Sequence, residues 1–425
     1  MKQITPLYIA PLYYVSRKFR NGLPCCLLLI MLGINGFAEP YFHFSRNQKR
    51  VSIAYKFYRN LIVVPVMLNG KGPFNFVLDT GVGVFTITDP AMKDVLKLQP
   101  GRKIIIRGLG EKEGVNAHMA SGISVSMPGI ESLPMTGVIF EEDPFFLSTY
   151  LGVKITGIIG YEFFSSFVVK INYGEKVLTM YDFNHFKPRR QYESLPIEIR
   201  SNKPFVKATC SLVNHSDIPI DLLLDTGAGF PLSLQSYSDS RLAIPERHLD
   251  TQLGLGLNGI IHGSLARTHE LKIGNYSFQQ VVTSFPDYDN WESKAESGKR
   301  HGSIGNFLLK RFSVILDYGN LKLYLKPNAR FKDPFEYDRV GLEVVGGGDD
   351  YNRFIVFQVK PNSPAAEAGI QPDDELVEIN FLPVKNMELG HIDRLLSDPK
   401  AKSVMIKIIR GEEFRYILLR MHDLI

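Results

Sequence analysis

Short apolar runs, rich in β-branched side chains, recur along the first three quarters of this chain. Gly, Pro, Asn and Asp cut them. LIVVPVML at 61–68, KIIIRG at 103–108, ISVSM at 123–127, FVVKIN at 167–172, KVLTMY at 176–181 and KLYL at 322–325 all predict strands. Helical spacing is scarce there, confined to DPAMKDVLK at 89–97 and YEFFSSF at 161–167. The pattern changes after Pro327. NARFKDPFEYD reads as a linker, and residues 340–421 mix periods. VGLEVV, FIVFQV and ELVEIN predict strands, SPAAEAG a short helix, MELGHIDRLL a longer one, and VMIKIIR-GEE-FRYILLRM a hairpin.

The strand-rich part is duplicated. Phe76-Val77-Leu78-Asp79-Thr80-Gly81 returns 146 positions later as Leu222-Leu223-Leu224-Asp225-Thr226-Gly227. A glycine-rich turn follows each copy, Gly108-Leu109-Gly110 and Gly254-Leu255-Gly256, also 146 apart. GIIGYEFFSSFVVKINYGEKVL at 157–178 then matches GSIGNFLLKRFSVILDYGNLKL at 302–323 at an offset of 145. Three landmarks in register, with one deletion between them, mark a repeat rather than coincidence.

Charge narrows the function classes. The chain of 425 residues carries a net charge of +5, but Lys2, Arg17, Lys18 and Arg20 are the only charges before residue 39. The remainder sits near +1, so no polybasic surface for nucleic acid is expected. The basic stretch leads into LPCCLLLIMLGI at 23–34 and the small residues Gly36 and Ala38. That is the pattern of a signal peptide over residues 1–38, placing the mature chain outside the cytoplasm, in the periplasm or cell envelope. An uncleaved segment would be a membrane anchor, the one expected membrane contact. Cys25 and Cys26 lie in that run, which leaves only Cys210 and no intrachain disulfide.

An aspartate ending an apolar strand is delivered to a partly dry place, where a lone anion is costly. A pseudo-two-fold fold would bring Asp79 and Asp225 face to face. Two adjacent carboxylates share one proton, so one can take a proton from water while the other gives one to a peptide carbonyl. Thr80 and Thr226 offer hydroxyls to the opposite loop. Gly81 and Gly227 allow close approach and turn amide N–H groups toward the carboxylates. Segments 158–160 and 303–305 would pack beneath these loops. The turns at 108–110 and 254–256 are candidate flaps.

These motifs, with Asn69-Gly70-Lys71-Gly72-Pro73-Phe74 leading into the first Asp-Thr-Gly, resemble the bacterial retropepsin-like aspartyl proteases in their tandem form with a C-terminal PDZ domain. The resemblance implies a mainly β chain. Two duplicated β-barrel lobes, 39–187 and 188–328, precede a linker, 329–339, and a small α+β PDZ domain, 340–421. It further implies an aspartic endopeptidase with Asp79 and Asp225 as the catalytic pair within one chain, so a monomer suffices. Val340-Gly341-Leu342 resembles a PDZ carboxylate-binding loop, which would take protein C-termini. The other partners expected are polypeptide substrates. Val82 and Ala228 stand where pepsins usually carry serine, and Leu109 and Leu255 where pepsin flaps carry tyrosine.

Two other readings were weighed. A non-catalytic peptide-binding adaptor would not need both carboxylates. A serine hydrolase built on His301 and Ser303 lacks the Gly-x-Ser-x-Gly turn. His262 and His269 have no HExxH or cysteine context, so no metal or other cofactor is expected.

Overall fold

Strands dominate, as the short β-branched runs predict, and they sort into three sheets. The computed structural model describes residues 40–99, 101–107, 114–257, 259–287 and 300–425. The apolar N-terminal run and the first flap candidate, Gly108-Leu109-Gly110, lie outside the described residues.

In the first sheet, Leu61–Leu68 and Lys71–Leu78 form a hairpin whose turn residues, Asn69 and Gly70, both have positive φ. That two-residue turn matches the natural twist of paired strands. Lys71–Leu78 ends at Asp79. Beside it, Gly157–Ile159 runs parallel, with Phe76 opposite Gly157 and Leu78 opposite Ile159. The same short strand pairs antiparallel with Thr86–Ile87. The second copy repeats this arrangement. Gly302–Ile304 lies parallel to Leu222–Leu224 and antiparallel to Leu232–Leu234.

The lobes share a sheet. Val168–Asn172 pairs antiparallel with Phe312–Asp317, with Val169 opposite Leu316, Lys170 opposite Ile315 and Ile171 opposite Val314. Lys170 and Ile315 are repeat mates at the 145-residue offset. Equivalent strands therefore pair about their own centre, and a local two-fold axis passes between them. A cut at 187 separates Val168–Asn172 and Val177–Tyr181 from the sheet they belong to, which continues through the second copy.

The helices at Met92–Leu96, Tyr161–Phe164, Pro364–Glu367 and Leu389–Leu396 fall within the predicted stretches. Asn306–Leu309, the repeat mate of Tyr161–Phe164, and Leu147–Leu151 were not anticipated, being only four and five residues long. Cys210 is buried and free.

The PDZ sheet runs Leu342–Gly347, Arg353–Val359, Glu375–Ile379, Ser403–Arg410, Glu413–Arg420, with its own apolar core. Residues 329–339 are a strap rather than a free linker. The buried Arg311 guanidinium donates to the carbonyls of Arg330, Asp333 and Pro334, and Phe335 is buried in the core of the lobes. Ile425 packs into that same core.

Candidate active site

The two Asp-Thr-Gly loops meet on the local two-fold axis. Asp79 N–H donates to Ile159 O and Asp225 N–H to Ile304 O, both at 2.9 Å, so the parallel strand places each aspartate. The threonines cross. Thr80 Oγ1 donates to Leu224 O at 2.5 Å, and Thr226 Oγ1 to Leu78 O at 2.9 Å. In return Thr226 N–H donates to Thr80 Oγ1 at 2.9 Å, and Thr80 N–H to Thr226 Oγ1 at 3.0 Å. Both threonines are buried. Four bonds thus lock the loops together with every hydroxyl satisfied.

The glycines explain how closely the loops approach. A Cβ on Gly227 would stand 2.1 Å from Asp79 Cγ, and one on Gly81 would stand 3.2 Å from Asp225 Oδ1. Each glycine amide also donates to the aspartate of its own loop, Gly81 to Asp79 Oδ1 at 2.6 Å and Gly227 to Asp225 Oδ1 at 3.0 Å. Burial, together with the negative charge of Asp225, pushes Asp79 up to about 8. Burial also raises Asp225, opposed by Arg300 and Lys203. The pair therefore holds a proton through neutral pH. The supporting glycines Gly160 and Gly305 lie against these loops. A Cβ there would sit 2.2 Å from Val82 O and 2.1 Å from Phe230 O, respectively.

A second pair of symmetric contacts was not read from the sequence. The turns Arg59-Asn60 and Ser201-Asn202 both have positive φ. Asn60 Nδ2 donates across the lobes to Gly229 O at 3.1 Å, and Asn202 Nδ2 to Gly83 O at 3.2 Å. Each asparagine thus braces the Asp-Thr-Gly loop of the opposite copy. The signal was present as an asparagine in each of two-residue turns between apolar runs, but which loop it would reach depends on the lobe packing. Asn306 is similarly hidden. Its Nδ2 donates to Thr226 O at 2.6 Å, while its Oδ1 accepts from Tyr173 Oη at 2.6 Å.

The second flap candidate ends the strand His248–Gly256, paired antiparallel with Gly259–Ile273 and with Gly256 opposite Gly259. Leu257 at its tip packs against the other lobe's cluster of Val115, Ala117, Val138 and Phe140. In that lobe Lys103–Ile106 and Val115–Ile123 form the arms of the corresponding hairpin.

His301 and Ser303 do not work together. His301 Nδ1 accepts from Asp221 N–H at 3.0 Å, and Ser303 is buried in the strand beside Leu223. Asp317 is buried and accepts from both nitrogens of Asn320, a structural role. Among the described residues no cluster of His, Cys, Asp and Glu could hold a metal ion.

Val340, Gly341 and Leu342 do form a turn that holds a carboxylate, but the chain supplies it. The N–H groups of Val340 and Gly341 both donate to Asp338 Oδ1 at 2.9 Å, and the buried Lys360 donates to Asp338 Oδ2 at 2.6 Å. The edge strand Leu342–Gly347 is also engaged. Arg59 donates to Val344 O at 2.6 Å, to both Asp393 oxygens at 2.8 and 2.7 Å, and to Tyr150 O at 2.9 Å. Its side chain is 6% exposed. Helix Leu147–Leu151 lies against the same strand. The groove expected to receive a C-terminus thus faces the catalytic lobes.

Residues 64–163 match the aspartyl protease family and residues 355–410 match the PDZ domain family. The first match holds Asp79; the copy holding Asp225 is tied to it by the repeat and the crossed loops. No curated protein matches the chain. Solved structures that match include a photosystem II D1 C-terminal processing protease, 24% identical, with 20% of this chain and 23% of that one covered and a TM-score of 0.19. The match thus spans under a quarter of that protease, and a TM-score so low bears on neither fold nor function. The crossed Asp-Thr-Gly loops and the two family matches lead to one conclusion: the chain carries an aspartyl protease domain of the retropepsin-like kind, followed by a C-terminal PDZ domain.

Proposed function

We propose that this protein is an aspartic endopeptidase acting on polypeptides, with Asp79 and Asp225 as its catalytic pair. The observation that carries this reading is the crossed-threonine lock, which holds two carboxylates together, with no room at Gly227 for a side chain against Asp79. With one proton between them, the unprotonated carboxylate takes a proton from a water as that water attacks the peptide carbonyl. The protonated carboxyl gives its proton to the carbonyl oxygen. The tetrahedral species then collapses, with a proton passing to the leaving nitrogen and the C–N bond breaking.

The test is hydrolysis of an unfolded protein by the wild type, by Asp79→Asn and by Asp225→Asn. Each variant is expected to lose at least about 1000-fold in kcat, because an amide cannot exchange the shared proton. A statine-type transition-state analogue is expected to block the wild type. A variant with near-wild-type rate would remove its aspartate from the pair, and an inert wild type would favour the adaptor reading. We further place the protein in the bacterial cell envelope, on the basic-then-apolar pattern of residues 1–38. Cell fractionation tests that placement.

A further inference from the structure

A cavity of about 460 Å³ opens in front of Asp225 and runs to the PDZ domain, where Leu342, Glu343 and Leu396 form its far wall. Phe230 and Phe307 of the second lobe line it between these ends. One cavity is therefore lined both by Asp225 and by the face of the PDZ domain. A polypeptide lying across Asp225 in this direction meets PDZ side chains within the same cavity.

Arg59 is bonded to Asp393, and Lys360 to Asp338. Glu336, which also lines the cavity, faces Lys310 and Arg311. Glu343 lies in the field of Arg59 and Lys360, with Asp338 and Asp393 opposing them. Both cations are bonded to other carboxylates, and Arg300, which also lines the cavity, acts on Asp225. No described residue is seen to bond the Glu343 carboxylate, and burial raises its pKa. Between Leu342 and Leu396, and beside two bonded ion pairs, the Glu343 carboxylate is open to a hydrogen-bonding partner from the cavity. A cation entering with an aliphatic stem would satisfy it, the stem covering Leu342 and Leu396.

We infer that the PDZ domain forms a substrate subsite of the catalytic cleft, and that Glu343 selects polypeptides bearing Lys or Arg at one position removed from the scissile bond. This rests on the endopeptidase reading above. The apolar walls hold the stem of the basic side chain, and the Glu343 carboxylate accepts hydrogen bonds from its head. The PDZ domain thereby sets specificity from within the cleft.

The test uses the full chain and matched peptides in which Lys, its neutral isostere norleucine, or Glu is placed in turn at each position flanking the cleaved bond. The quantity read is the ratio of kcat/KM for Lys over norleucine. The wild type is expected to show a ratio of about ten at one position. Glu343→Gln should bring that ratio near one, and Glu343→Lys should shift preference to the Glu peptide. Cleavage with a ratio near one at every position in the wild type would overturn the inference while leaving the endopeptidase reading intact. An unchanged ratio in Glu343→Gln would also overturn it. Should the wild type cleave no peptide, the endopeptidase reading fails, and fluorescence anisotropy of the same labelled peptides decides the subsite. Tighter binding of Lys than of norleucine, abolished in Glu343→Gln, would sustain it; equal binding would reject it.

Discussion

At the residue scale, the pair at the cleft floor is a stability cost that grows with pH. Asp79 rises to about 8 in the folded chain from an ordinary value of 3.8. Between those values the folded state keeps a proton that the unfolded state has lost, so stability falls as pH rises through about 8. Asp79→Asn removes the share of that dependence that belongs to Asp79, while the buried Asp225 still titrates. The variant's melting temperature should exceed that of the wild type, and the gap should widen from pH 5 to pH 9. Endopeptidase activity should fall over the same alkaline range, as the shared proton leaves; a pH–rate profile still rising above pH 9 would contradict this. The glycines separate function from folding. Gly227→Ala drives a methyl into the Asp79 carboxylate, a side-chain end that can swing aside, so kcat should drop about 100-fold or more with a modest change in melting temperature. Gly305→Ala meets the backbone oxygens of Phe230 and Ala228, which cannot move alone, and should destabilise the fold by about 2–4 kcal/mol. Comparing melting and kinetics of the two variants checks both.

At the element scale, the two-residue turns organise the molecule. Asn60 and Asn202 brace opposite catalytic loops almost symmetrically, but their neighbours differ. Arg59 stands where the second copy has Ser201, and Arg59 alone reaches the PDZ domain. The difference between Arg59 and Ser201 at equivalent turn positions thus gives the first copy a docking point for the third domain. Its guanidinium fork serves two carboxylate oxygens and a strand carbonyl together, geometry that an ammonium cannot reproduce. Arg59→Ala should loosen the edge strand, seen as faster amide exchange across Leu342–Gly347, and Arg59→Lys should recover only part of the protection. Unchanged exchange would mean that the strap, helix Leu147–Leu151 and the Gln358–Thr251 bond hold the edge strand without Arg59.

At the scale of the whole molecule, the strap and the Arg59 fork dock the PDZ domain against the two lobes rather than leaving it an appendage on a tether. A tethered module would raise the local concentration of selected proteins and leave short peptides unaffected. A wall affects every substrate that enters the cleft. Arg59→Ala should therefore lower kcat/KM by similar factors on a short internal peptide and on an unfolded protein with a free C-terminus. A loss confined to the protein substrate would instead mark the PDZ domain as a separate recruiting module.

Much of this was legible in the chain. The two Asp-Thr-Gly motifs, the glycines behind them and the strand runs around them are local requirements, because an aspartate can end a buried strand and face its twin only with those neighbours. The repeat also implied the two-fold axis, since matched halves pair most simply about their own centre, as Lys170 and Ile315 do. What the sequence could not carry was partnership over distance. That Asn60 would meet Gly229, that Arg59 would meet Asp393 across 334 positions, and that Asp338 would fill the turn at Val340 and Gly341 all depend on how rigid bodies settle against one another. Short-range pattern determined the elements and the catalytic motifs. Only tertiary packing, which brings distant polar groups to bonding distance as it buries apolar surface, decided that Asp225 and the face of the PDZ domain would line a single cavity.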